Sequence, residues 1–167
     1  IVKGTRALAQ RIENGKKKRK HVTRGKAGGT PRLLKAGEIA TLTPFLKRGQ
    51  IFMCDSHKGG RLKQAIVIDR VRAHHEVFKK VVSIPHNYSK KISAITDIQV
   101  NGLDEGKVDF SWTLGFSIFG LTSRNLLGPA KGGVLLNSID GDLKGASWRW
   151  QIVPESSATS IVAYHAY

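Results

Sequence analysis

A single cysteine, Cys54, stands in 167 residues, so the chain can close no disulfide of its own. A thiolate zinc site would have to draw its other ligands from histidines, carboxylates or another chain. A reducing compartment, the cytoplasm, is the expected setting. No apolar run approaches the ~20 residues that span a bilayer as a helix, and the first residues lack the charged-then-apolar order of a secretion signal. A soluble protein is expected. Phosphate-loop spacing is missing too, since neither "GKAGGT" nor "AKGGV" has the required order. No Ser-His-Asp or Cys-His arrangement can be assembled. None of the six histidines (His21, His57, His74, His75, His86, His165) shares metal-ligand spacing with Asp, Glu or Cys on one helix face, and "CDSH" is a weak echo of a zinc pair. Surface histidines are the expectation, with no metal, no cofactor and no catalytic residue assigned.

Acidic residues are also scarce, at 12 against 28 Lys and Arg, which leaves a formal charge of +16. The imbalance is local. Residues 1–48 carry 14 basic side chains against two acidic, whereas residues 73–167 carry nine against eight. The run "GKKKRKHVTRGK", residues 15–26, holds seven of the basic ones and nothing that can pack. Lys16, Lys17, Lys18, Arg19 and Lys20 are therefore the candidate polyanion contact, toward RNA or an anionic membrane surface, through charge alone and with steep salt dependence. A solvated tail is the plainer reading. No aromatic is interleaved, which argues against base stacking.

What is present divides the chain at about residue 48. Residues 3–13, "KGTRALAQRIE", have a weakly amphipathic helical spacing; residues 14–30 read as a flexible linker; and "PRLLKAGEIATLTPFLKR" offers a short helix leading into the domain. From Gly49 the pattern changes. "GQIFMC", the turn "KGGR" and "LKQAIVIDRV" read as strand, turn and strand. "AHHEVFKKVVSIPHNYSKKI" then has helical spacing, with Val77, Phe78, Val81 and Val82 expected on one side, a break at Pro85 and a shorter helix around Tyr88. Six further strand candidates follow as a meander. In "VDFSWTLGFSI", Val108, Phe110, Trp112, Leu114, Phe116 and Ile118 share one face, and Trp148, Trp150 and Ile152 share one in "SWRWQIV".

This order is carried by Gln64 to Val100, where a strand runs through Val71-Arg72-Ala73 into a helix. It is carried also by Ser138 to Tyr167, with Gly141-Asp142-Leu143, the tryptophans and Pro154 five residues before Thr159. The text resembles the SRPBCC superfamily, also called START-like or helix-grip, and within it the polyketide cyclase/dehydrase and coenzyme Q-binding group. The resemblance covers residues 49–167. It implies an α+β helix-grip fold: a curved antiparallel sheet of about seven strands, two short helices after the first strand, and a cavity for a hydrophobic molecule. Family members close that cavity with a long C-terminal helix, which has no counterpart before Tyr167. Truncation is the favoured expectation, and docking of the helix 3–13 in its place is the other.

For such a cavity the candidate lining is Tyr88, Phe110, Trp112, Leu114, Phe116, Arg124, Trp148 and Trp150, with Tyr88 and Arg124 at the mouth. An ordinary core explains the aromatics equally. The expected partner is an apolar small molecule: a lipid, isoprenoid or polyketide-like compound. The resemblance also admits a polyketide cyclase or aromatase, which requires a titratable group inside the cavity, His86 being the nearest candidate, and a ribosome- or RNA-associated protein. Asp140 and Asp142 flank Gly141 as hairpin residues rather than a catalytic pair.

Overall fold

Gly59 and Gly60 reverse the chain with φ of +59° and +72°, the two left-handed positions that the tightest hairpins demand, and Glu105 with Gly106 repeats the device at +46° and +75°. These turns join β1 (Phe52–Lys58) to β2 (Arg61–Val71) and β3 (Ile95–Asp104) to β4 (Lys107–Phe116). The meander continues through β5 (Phe119–Ala130), β6 (Gly133–Gly141), β7 (Ser147–Pro154) and β8 (Ser160–Ala166). The computed structural model describes residues 32–116 and 119–167. The expected helix 3–13, the basic run 15–26 with Lys16–Lys20, Ile118 and the side chain of Phe116 lie outside the described residues.

The eight strands form one antiparallel sheet in the order β1-β2-β8-β7-β6-β5-β4-β3, curved and unclosed. About seven strands are expected from the sequence, and the count becomes eight because β1 pairs along its whole length with β2, from Phe52 opposite Ile68 to Lys58 opposite Arg61. The link from β2 to β3 crosses from one side of the sheet to the other. It carries α1 (His75–Val82) and α2 (His86–Ser89), separated by Pro85. This is the expected helix-grip α+β architecture.

Strand alternation divides the side chains between two faces. On one face Phe110, Trp112, Leu127, Val134, Leu136, Ile152 and Val162 are buried in a cluster with Val82 and Tyr88, and Phe78, Val108, Leu114, Trp148 and Trp150 pack against it. This is the aromatic face. Edge-to-face contacts run across it, from Tyr88 to Trp112 at 5.9 Å between centroids and from Trp112 to Trp148 at 5.9 Å. Between β5 and β6 the same face buries a closed polar group, in which Ser123 Oγ lies 2.7 Å from Ser138 Oγ and 2.9 Å from Asn125 Oδ1.

One helical expectation needs correction. Val77, Phe78, Val81 and Val82 do not share an inward side: Phe78 and Val82 face the sheet, whereas Val77 and Val81 are 58% and 43% exposed. At 3.6 residues per turn the pairs 78/82 and 77/81 form adjacent stripes, and only one stripe fits against the strands.

The opposite face is covered by a helix of its own, Ala36–Leu46, designated αN because it precedes β1. Leu46 is buried against Ile68, Ile161 and Ala163, and Leu34, Ile39 and Leu42 pack around them. The helix runs through Pro44 although proline lacks the N–H that would bond one turn back. Burial of Leu46 just beyond it offsets that loss. Leu34 is held by a side-chain amide that imitates a strand: its N–H donates to Gln151 Oε1 at 2.8 Å, and its carbonyl accepts from Gln151 Nε2 at 2.9 Å. Leu34 and αN, which the expected boundary at residue 48 leaves in the N-terminal segment, are seated on the sheet.

Candidate functional site

The candidate site lies where α1 and α2 lean on β7. Trp150 points to the aromatic face by alternation and makes an edge contact with Phe78 at 5.6 Å and a tilted contact with Tyr164 at 4.5 Å. Its indole N–H donates to Tyr88 Oη at 3.1 Å, and the Tyr88 hydroxyl donates in turn to the Val82 carbonyl at 2.7 Å. This relay ties strand, first helix and second helix together at one point. Beside it is a cavity of about 320 Å³ lined by Phe78, Val81, Val82, Asn87, Tyr88, Lys91, Ile92 and Trp150. Its volume falls at the lower end of small-molecule sites, and its wall is apolar with few polar groups. The exposed members of the lining, Val81, Lys91 and Ile92, mark where it opens to solvent.

Of the residues expected to line a cavity, the structure brings Tyr88 and Trp150 to this one. Phe110 and Trp112 are core, at 0% and 5% exposure, with Leu114 and Trp148 packed around them. Arg124 is not at the mouth of this cavity but lines a second one of about 440 Å³, with Asp97, Gln99, Ser111 and Thr122. It lies on the opposite face, where its guanidinium meets the Asp109 carboxylate at 2.6 Å, because alternation along β5 sends Ser123, Asn125 and Leu127 to the aromatic face and Arg124 away from it. The Arg124 guanidinium, with Asn101, holds the Asp109 carboxyl below its ordinary range.

The lining residues that sequence reasoning missed come from the two helices and the turn after α2. Phe78, Val81 and Val82 were legible as members of one apolar helical side but not as a cavity wall; Asn87, Lys91 and Ile92 gave no signal. The packing of α1 on β7 and of α2 on β3 brings them together as a wall.

The chemistry of the site is that of shape and apolar surface. Burial pushes the Tyr88 hydroxyl up to about 12 despite the bond from Trp150. Its proton is committed to Val82, so Tyr88 offers orientation rather than proton transfer at neutral pH. His86 is exposed and does not line the cavity. Asp142 accepts from the Thr122 N–H at 2.9 Å and so pins the β6–β7 connection to β5, as expected of a turn residue.

The opposite face has a different character. His165 and Arg149 are opposed in register, both buried, with Gln151 alongside. His165 Nε2 lies 3.3 Å from Gln151 Oε1. Because that oxygen already accepts from Leu34, the His165 Nε2 carries the hydrogen. Burial first, then the neighbouring Arg149 and Arg32 charges, pull His165 down to about 4. Arg149 donates to the Lys131 carbonyl.

No family model and no curated protein matches the sequence. Solved structures match by shape. The Zhui aromatase/cyclase of a Streptomyces species is 7% identical over 70% of this chain and 67% of its own, with a TM-score of 0.53. A STAR-related lipid transfer protein from Xanthomonas axonopodis is 12% identical over 70% of this chain and 75% of its own, at 0.53. A START superfamily protein from Mycobacterium smegmatis is 14% identical over 62% and 74%, at 0.52. The fold is the helix-grip fold expected from the sequence.

Proposed function

We propose that the protein binds a hydrophobic small molecule, a lipid, isoprenoid or polyketide-like compound, in the cavity between α1, α2 and β7. The observation that carries this reading is the wall itself: Phe78, Val82, Ile92 and Trp150 surround about 320 Å³ next to a fixed Tyr88 hydroxyl. Affinity would come from burial of apolar surface at about 25 cal/mol per Å², less the cost of association. Tyr88 and the rim residues Asn87 and Lys91 would orient a polar end. Aromatase/cyclase and lipid transfer proteins stand among the structural neighbours, and of the two the transfer-like role fits better. A cyclase needs a side chain that moves protons, and the hydroxyl here has its proton engaged.

The test is native mass spectrometry of protein purified from its own host, followed by organic extraction, together with titration of a fluorescent fatty acid. A stoichiometric apolar compound, or saturable uptake that Trp150→Ala abolishes, supports the reading. An empty protein that takes up no apolar probe ends it. RNA carried through purification would move the function to the basic segment 15–26.

A further inference from the structure

Around the mouth of the cavity the surface is apolar where it should be polar. Val77, Val81, Ile84 and Ile92 are 58%, 43%, 42% and 42% exposed, within sixteen residues of one another and outside any strand. Val77 and Val81 are one helical turn apart, and Val81 and Ile92 also belong to the cavity wall. The charge around them has one sign. From Arg72 to Ile92 there are five Lys or Arg and a single Glu, and that Glu76 is engaged by Lys79 at 3.8 Å. Lys80, Lys90 and Lys91 are exposed, and among the described residues none of them is ion-paired. Exposed aliphatics interspersed along the chain with exposed, unpaired lysines suit a surface that is oily beneath an anionic layer.

We propose that the corner formed by α1 and α2 docks on an anionic lipid bilayer, with Val77, Val81, Ile84 and Ile92 entering the interface and Lys80, Lys90 and Lys91 meeting the headgroups. The proposal rests on the apolar-ligand reading of the cavity for its purpose: the mouth then opens into the phase where such ligands dissolve, so the ligand need not cross water. A nucleic acid fits less well, because the exposed side chains are aliphatic and offer no ring for a base to stack on.

The experiment is flotation of the full 167-residue chain with phosphatidylcholine vesicles, with and without phosphatidylserine. Binding is expected only where phosphatidylserine is present. Lys80→Glu with Lys90→Glu should weaken it by at least about tenfold, from roughly fivefold per lysine near such a surface. Val77→Ser with Ile84→Ser should weaken it at unchanged charge. Lys58→Glu with Lys63→Glu makes the same charge change on the β1–β2 hairpin and should cost much less.

Equal losses for the two lysine pairs overturn the proposal. So does wild-type protein that fails to float, or binding that vanishes when Lys16–Lys20 become alanine but ignores Lys80 and Lys90. RNA capture without vesicle binding overturns it as well. None of the substituted residues lines the cavity, so the variants should take up a fluorescent fatty acid in vesicle-free solution as the wild type does. If even the wild type takes up none, the ligand reading fails while the vesicle comparison still reports on docking.

Discussion

The two faces of one sheet are built from the same strands and treated in opposite ways. On the opposite face αN lies over β2 and β8, where Leu46 fills the space between Ile68, Ile161 and Ala163, while toward β3–β5 a second cavity of about 440 Å³ beside Arg124 stays open. On the aromatic face two short helices cover part of the sheet, and where they end a cavity remains. The difference teaches where to look for function. A region that its own chain fills contributes stability, whereas an apolar region with large side chains and incomplete cover has room for an apolar ligand.

The most severe break of this comparison is Trp150→Ala, which removes a cavity wall, the contacts to Phe78 and Tyr164 and the donor to Tyr88. It should cost about 4 kcal/mol in urea unfolding and abolish uptake of an apolar probe. Leu46→Ala on the opposite face should cost about 3 kcal/mol yet leave the affinity of the folded protein unchanged. If Leu46→Ala destroyed affinity as well, the two faces would not be separable. Tyr88→Phe sharpens the aromatic side. It leaves the Val82 carbonyl and the Trp150 N–H without their partner, for about 2 kcal/mol, and should weaken ligands with a polar end more than pure hydrocarbons.

The opposite face should alone report acid. His165 titrates lower in the folded protein than in the unfolded chain, so below its ordinary range the unfolded state binds more protons and stability falls with pH. The loss should begin near pH 6.5, approach about 1.4 kcal/mol per pH unit at its steepest and level off near pH 4. His165→Gln should flatten that part of the curve, measured by urea midpoints across pH. The smallest effect is expected from Arg124→Ala: its guanidinium is half exposed and Asn101 still donates to Asp109, so the urea midpoint should fall less than in any variant above and probe uptake should stay intact.

The strands and their faces were legible because alternation has a period of two, and one shift would turn every apolar side chain to water. Hence Phe110, Trp112, Trp148 and Trp150 sit on the face expected of them. The turns were legible because Gly59 and Gly60 can take a left-handed backbone cheaply. Arg124 was misassigned because a polar residue among polar neighbours carries no mark of which face it takes. The β5 stretch holds Ser123, Arg124 and Asn125 in succession, which hides the alternation. Within α1 the spacing showed an apolar side but not that Val77 and Val81 would stay outside.

Composition and period thus determined by themselves an antiparallel α+β domain with one aromatic face. Local rules are enough for that, since backbone geometry and side-chain alternation act between near neighbours in the chain. Which aromatics would be core and which a wall was decided by tertiary structure. Trp112 and Trp150 have the same chemistry and the same kind of strand position, and they differ in whether the space above them is filled by packing. That space is set by where two helices distant in sequence come to rest on the sheet.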